Sequence, residues 1–202
     1  MKTCYIVGAG EFYGSFKPNK DDLVIAADGG YSVLKEKGIR CDLLIGDMDS
    51  IKDTPNDIQA IKHPVEKDET DMHLAYLEGK RRGYESFAIY GGVGGRSDHT
   101  FANYCLLSYI KNDGNNAKLF GKSDVAFAIK NEVTRVSGKP QKSISIFAFG
   151  GIAEGVSIRG LYYELKDGRL LPEFPLGVSN HFTDRDAEIE VKNGTLLIIS
   201  EI

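Results

Sequence analysis

Short apolar runs alternate with glycine- or acid-ended corners along the first two-thirds of this chain. The runs lie at residues 4–7, 23–27, 42–45, 87–90 and 118–120, with helix-like stretches at 31–37, 71–82 and 98–111 between them. Strand, then glycine or acid, then helix is the rhythm of a parallel sheet covered by helices. The pattern changes near Asp124. Shorter runs follow at 125–129, 133–136, 143–149, 157–159, 162–165, 188–191 and 196–199, with no helix between them, which predicts a small antiparallel sandwich or barrel. Within them, AEIEVKNGTLLII at 187–199 reads as two strands around an Asn193-Gly194 turn, the pattern of a hairpin. The expectation is an α/β chain: an N-terminal parallel-sheet α/β domain over residues 1–122, followed by a C-terminal all-β sandwich domain over 123–202.

Composition narrows the function. The 202 residues carry a formal net charge of −4, which disfavours a nucleic-acid partner. Three cysteines, Cys4, Cys41 and Cys105, form an odd set without CxxC spacing and read as reduced thiols rather than a disulfide or zinc framework. No apolar run is long enough to span a bilayer, and the apolar run near the N-terminus is too short for a signal peptide. A cytoplasmic protein with no membrane partner is expected.

The chemistry-bearing positions sit at the corners. GDMDS at 46–50 places Asp47 and Asp49 just beyond an apolar strand. In extended chain, side chains two apart face the same way, so both carboxylates can reach one cation. A polar turn would explain the same residues through local backbone hydrogen bonds. KDETDMHLAY at 67–76 opens a helix, with Thr70 as a good N-cap and Asp71 in the first turn, where acids suit the helix dipole. Asp68, three residues earlier, can face the same site. AADGG at 26–30 puts Asp28 before Gly29 and Gly30, a corner that could bind an anion or ribose and could equally be a plain turn. IVGAG at 6–10 ends a strand in glycines but is not a full GxGxxG, so a dinucleotide fold does not follow.

The loop GGVGGRSDHTFAN at 91–103 is harder to explain as a turn alone. Gly91, Gly92, Gly94 and Gly95 let backbone amides approach an anion, and Arg96 can grip phosphate bidentately. Asp98 and His99 are acid–base candidates, although Asp98 could equally be a plain helix cap and His99 a packed residue. Asn103 reads as packing. In a parallel sheet all these corners share one edge, where ligands bind. A phosphate cradle beside metal-type carboxylates points to a nucleotide-using enzyme that transfers a phosphate-type group.

Taken in order, ADGG at 27–30, GDMDS at 46–50, DETD at 68–71 and GGVGGRSDHTFAN at 91–103, followed by GLYYELKDGRLL at 160–171 and GVSNHF at 177–182, closely resemble the thiamine pyrophosphokinase (thiamine diphosphokinase) family, bacterial type. The resemblance covers nearly the whole chain. It implies a nucleotide-binding catalytic domain followed by a thiamine-binding and dimerisation sandwich. It also implies a homodimer with sites shared between subunits, and Mg²⁺-dependent transfer of pyrophosphate from ATP to the thiamine hydroxyl, giving thiamine diphosphate and AMP. Carried over to this sequence, the metal acids are Asp47, Asp49 and Asp71. The catalytic residues are Asp71, Asp98 and Arg96, with Asp71 and Asp98 both open as the base. The nucleotide contacts are Asp28, Gly29, Gly30, Thr70, Gly92, Gly94, Gly95 and Arg96. The thiamine contacts are Tyr163, Ser179 and Asn180. The chain has no Trp, and Tyr163 stands where animal members place one against thiamine; Tyr stacks on a cationic ring more weakly. Met48 stands where Phe is common, with no chemical consequence expected. Two alternatives are a diphosphokinase of another hydroxymethyl heterocycle, such as a pterin, and a non-catalytic nucleotide or thiamine diphosphate sensor.

Overall fold

The continuous apolar stretch Leu23–Ala27 is buried at every position, as a strand covered on both faces must be. The computed structural model describes residues 2–47, 58–63, 66 and 68–202. It divides into two units, Met1–Leu106 with Gly114–Lys122, and Leu107–Asp113 with Ser123–Ile202.

The first unit contains β1 (Cys4–Val7), β2 (Leu23–Ala27), α1 (Gly30–Glu36), β3 (Leu43–Gly46), β4 (Gln59–Lys62), α2 (Asp71–Arg81), β5 (Ser86–Tyr90), α3 (Ser97–Asn112) and β6 (Asn116–Phe120). Residues of α3 beyond Leu106 group with the second unit. The strands run parallel in the order β6-β5-β1-β2-β3-β4. Among the described residues β4 is the strand of this unit that the apolar pattern does not announce. Its QAIK sequence is mostly exposed at the sheet edge, so no apolar run is required.

The two faces of the sheet are covered differently. On one, α2 comes close because Gly79 has no side chain: a Cβ there would lie 2.8 Å from both Cys4 Sγ and the Phe87 ring. Tyr76 of the same helix meets Phe87 edge-on and accepts a buried hydrogen bond from Asn115 Nδ2 at 3.0 Å. On the other face the link from β1 to β2, residues 8–22, contains no helix. Aromatic rings take its place: Phe16 stacks on Tyr5 at 4.2 Å, Phe12 on Tyr90 at 5.2 Å, and Tyr90 on Phe120 at 4.5 Å. Burial pushes the Tyr90 phenol up to about 12.

That helix-free link is held by charge. Arg40 donates to the carbonyls of Asn19 and Asp22 at 2.7 Å each and pairs with Asp42. The buried Asp22 carboxylate accepts the amides of Thr3 and Asn19 at 2.7 and 2.8 Å. Burial alone would raise its pKa, but these amides and Arg40 outweigh it and hold the carboxyl below its usual value.

The second unit contains β7 (Asp124–Lys130), β8 (Val133–Val136), β9 (Ser143–Ala148), β10 (Ala153–Arg159), β11 (Leu165–Leu170), β12 (Gly177–His181), β13 (Ala187–Glu190) and β14 (Thr195–Glu201). Antiparallel β12-β9-β14-β7 and antiparallel β11-β10-β13-β8 enclose one apolar core, with Ile144, Ile146, Leu196 and Ile198 from the first layer and Val156, Ile158, Ala187 and Ile189 from the second. The α/β unit followed by an all-β sandwich is the fold class expected from the sequence.

Two local expectations are corrected. Residues 162–164 form a bend before β11 rather than a strand. The Asn193-Gly194 turn does not close a hairpin: β13 pairs with β10 and β8, and β14 with β7 and β9. The chain crosses from one layer to the other there. Gly194 N–H donates to Asn131 Oδ1 at 2.9 Å, and Asn193 N–H to the Glu154 carbonyl at 3.1 Å. Apolar alternation says only that both strands face the core, and facing layers satisfy that as well as one sheet does.

The Asp22 contacts give a pH prediction. Because its folded pKa is lowered, its stabilisation is present above the unfolded value and is lost as pH falls through the folded value. Asp22→Asn should cost about 1–3 kcal/mol near neutral pH. The melting-temperature gap from the parent should close below about pH 4. A gap independent of pH would show that the carboxylate's charge is immaterial.

Candidate active site

The C-terminal ends of the parallel strands carry the glycine and acidic corners, and backbone packing brings several of them around one cleft. The turn after β1 and the loop after β5 are joined main chain to main chain. Gly8 N–H donates to the Tyr90 carbonyl and Gly10 N–H to the Gly91 carbonyl, both at 2.9 Å, and Glu11 N–H donates to Val93 at 3.1 Å. This approach leaves no room for side chains. A Cβ on Gly91, whose φ is +62°, would stand 2.3 Å from the Gly8 carbonyl oxygen. Gly30 is likewise confined: its Cβ would lie 1.9 Å from the Val7 carbonyl oxygen, so only glycine lets α1 start against the end of β1.

The cleft measures about 460 Å³ and is lined by Gly8, Gly10, Asp28, Thr70, Asp71, Met72, Gly92, Gly94, Gly95, Arg96, His99 and Asn103, with small apolar patches from Ala9, Ala27 and Ala102. Of the residues singled out from sequence, Asp28, Thr70, Asp71, Gly92, Gly94, Gly95 and Arg96 meet here. Gly29 is instead the N-cap of α1 and Gly30 its first residue. Asp47 follows β3, the strand beside β2, and is not part of the lining. Asp49 lies outside the described residues. Among the described residues no group of three His, Cys, Asp or Glu side chains is close enough to hold a metal by itself.

Each lining residue is positioned by local structure. Asp28 sits at φ +46°, a left-handed conformation that costs a non-glycine residue about 1–2 kcal/mol. Its amide donates to the Ile45 carbonyl at 2.7 Å, tying the ends of β2 and β3 together. Thr70 caps α2, its hydroxyl accepting the His73 amide at 3.2 Å, which places Asp71 at the positive end of that helix. Asn103 is only 5% exposed, and its Nδ2 donates to the Gly92 carbonyl at 2.7 Å. It pins the glycine loop, a role its packing pattern did not reveal.

Arg96 and Asp98 engage each other at the start of α3. Arg96 Nη2 lies 2.6 Å from Asp98 Oδ2 and Nε 3.2 Å from Oδ1, a two-pronged pair open to solvent. Arg96 first, and then the His99 amide, hold the Asp98 carboxyl below its usual range. Arg96 borders the cleft; Asp98 does not.

The sandwich unit carries the other residues singled out. Tyr162 and Tyr163 are exposed, Tyr162 stacks on His181 at 4.5 Å, and Tyr163 meets Tyr162 edge-on at 4.8 Å. Ser179 is in the left-handed region at φ +58°, within a register shift where β12 pairs with β9, and its amide donates to Ser145 Oγ at 3.1 Å. Asn180 is buried beneath Tyr163.

An α/β unit with a ligand cleft at its strand ends, joined to a β-sandwich that exposes an aromatic cluster, is the class of protein these features define. The profile described as thiamin pyrophosphokinase, catalytic domain, matches residues 17–119, and that described as thiamin pyrophosphokinase, vitamin B1 binding domain, matches 130–196. The chain therefore belongs to the thiamin pyrophosphokinase family, and it is an enzyme, a thiamine diphosphokinase. Its fold matches a thiamine pyrophosphokinase from Bacillus subtilis with TM-score 0.89 at 21% identity, over 100% of this chain and 99% of that one. A thiamin pyrophosphokinase from Geobacillus thermodenitrificans matches with 0.85 at 22% identity, over 99% and 97%. The yeast thiamin pyrophosphokinase matches with 0.75 at 17% identity, over 100% and 86%. No curated protein sequence matches the chain. The Gly8–Gly10 turn, which lines the cleft, precedes the first matched span.

The two kinds of glycine in this loop should behave differently. A Cβ at Gly95 meets nothing within 4 Å, so Gly95→Ala carries only the cost of its φ of +65°, a melting-temperature loss of about 2–8 °C. Gly91→Ala adds the clash with Gly8 and should lose about 10 °C or more. Equal losses in thermal melts would show that the two loops are not in register as described.

Proposed function

We propose that the chain transfers the pyrophosphoryl group of ATP to the hydroxyl of thiamine with the help of Mg²⁺, giving thiamine diphosphate and AMP. The observation that carries this reading is the gathering of Asp28, Asp71, Arg96 and glycine turns around one cleft of about 460 Å³. Backbone turns and a guanidinium suit a polyphosphate, and carboxylates suit the cation that accompanies it. Residues 1–122 are the nucleotide-binding catalytic domain in this reading, and 123–202 bind thiamine and dimerise.

Magnesium fits the donor chemistry present. Protein carboxylates supply part of its shell, and substrate phosphates and water complete it, so a closed cage of protein ligands is not required. Asp47, Asp49 and Asp71 would hold it. When bound, the cation neutralises phosphate charge as the β-phosphorus is attacked.

The residues of the chain do the rest. The glycine loop and Arg96 hold the triphosphate, with Asp98 giving way to phosphate in Arg96's fork. The thiamine hydroxyl oxygen bonds to the β-phosphorus, the bond from that phosphorus to the α–β bridging oxygen breaks, and AMP leaves. The hydroxyl proton passes to a carboxylate. Asp71 is the better-placed acceptor, because it borders the cleft and Asp98 does not. Tyr163 and Ser179 contact thiamine. Alignment and charge neutralisation supply most of the acceleration. Free thiols at Cys4, Cys41 and Cys105 suit the cytoplasm.

Incubation with ATP, Mg²⁺ and thiamine should yield thiamine diphosphate and AMP in equal amounts by mass detection. Asp49→Asn and Asp71→Asn should each reduce turnover by about 10²-fold or more in folded protein. AMP release with a hydroxymethylpterin but not with thiamine would overturn the substrate assignment. Binding of both ligands without AMP release would overturn catalysis.

In the proposed homodimer each site combines acids of one subunit with the Ser179 region of the other. Mixing an inactive Asp49→Asn chain with an inactive Ser179→Ala, Asn180→Ala chain should then restore activity, since about a quarter of all sites are intact after random exchange. Exchange verified by native mass spectrometry without regained activity would rule out shared sites.

A further inference from the structure

Asn180 stands in the stretch assigned to thiamine, yet its side chain faces inward. It is only 4% exposed, whereas Tyr163 is 61% exposed. Asn180 Oδ1 accepts the backbone amides of Tyr163 at 3.0 Å and His181 at 2.9 Å. Its Nδ2 donates to the Tyr163 carbonyl at 2.7 Å. Two N–H groups on one side and a carbonyl on the other admit one orientation of the amide, since the flipped form would set donor against donor. Both main-chain polar groups of Tyr163 are thus held by one side chain, seventeen residues further along the chain.

The rest of this bend is held in the same manner. The Gly160 amide donates to Glu164 Oε1 at 2.9 Å, and Thr183 Oγ1 donates to the Gly160 carbonyl at 2.7 Å. Tyr162 N–H donates to the His181 carbonyl at 3.0 Å. A bend of exposed tyrosines would lose much binding energy to its own ordering if it were mobile. Here hydrogen bonds from neighbouring residues of the sandwich hold the backbone of the bend.

We infer that Asn180 is a positioning residue, which serves thiamine by fixing the backbone of Tyr163 beneath its exposed ring and does not itself touch the substrate. The inference rests on the reading that Tyr163 lies against thiamine. It divides the Ser179-Asn180 pair by role: Ser179, outward and left-handed, is left to contact the ligand, and Asn180 to support the ring.

A double-mutant cycle tests it, with thiamine affinity measured by calorimetry and KM and kcat by AMP release. Tyr163→Ala and Asn180→Ala should each weaken thiamine binding by about tenfold, in KM far more than in kcat. In the Tyr163→Ala background, Asn180→Ala should add less than about twofold, because its target is already gone. Losses that multiply would overturn the inference and leave the thiamine face intact. Neither single variant changing thiamine binding would overturn both the inference and the reading on which it rests.

A second measurement does not depend on activity or on Asn180→Ala folding well. The chain contains no Trp, so Tyr163→Trp introduces a single reporter. Asn180→Asp keeps the acceptor for both amides and loses the donor to the Tyr163 carbonyl. In ligand-free protein, fluorescence anisotropy of the introduced indole should fall from the Tyr163→Trp protein to its Asn180→Asp derivative, and further with Asn180→Ala. Unchanged anisotropy across the three proteins would overturn the positioning role.

Discussion

The first unit depends on one constraint: main chain must touch main chain at the C-terminal ends of β1 and β5. Gly8, Gly10 and Gly91 meet through carbonyls and amides, with no space for a Cβ at Gly8 or Gly91. Gly30 extends the same requirement to the start of α1. A parallel sheet already sends its corners to one edge. Close approach then narrows that edge to a cleft where Asp28, Asp71 and Arg96 converge from separate corners. The amides of Gly8 and Gly10 are used in this contact, so these glycines build the wall of the cleft. The positive-φ residues Gly94 and Gly95 shape the rim in front of it.

Sequence reasoning reached the elements whose cause is local. Leu23–Ala27 had to be a covered strand, and Thr70-Asp71 had to open a helix. It failed where the cause is a partner distant in the chain. QAIK in β4 carries no apolar run because an edge strand needs none. Asn193-Gly194 looked like a hairpin because alternation records which face is inward and not which neighbour is paired. Gly8–Gly10 lacks a dinucleotide fingerprint, and the need for its glycines comes from the distant Gly91 and Val93. Asn103 gave no signal, since a side-chain bond to the Gly92 carbonyl has no spacing rule. The family resemblance placed Asn180 at the substrate, but could not say that its amide is turned toward Tyr163 and His181.

The Arg96 corner of the first unit and the aromatic cluster of the second are held by interactions of opposite character. Arg96 and Asp98 form an exposed pair, and such pairs contribute little because water and salt compete for both partners. A phosphate offers the same two-pronged acceptor geometry with more charge, so the guanidinium can exchange partners without a large penalty. The Asn180 contacts are buried, where an unmade hydrogen bond leaves a desolvated group behind at about 1–3 kcal/mol. That network resists exchange. A flexible, highly charged chain needs a binding group that can follow it, while a planar ring needs a surface that does not yield. In the proposed reaction the exposed ion pair meets the polyphosphate, and the buried amide backs the ring proposed to meet thiamine.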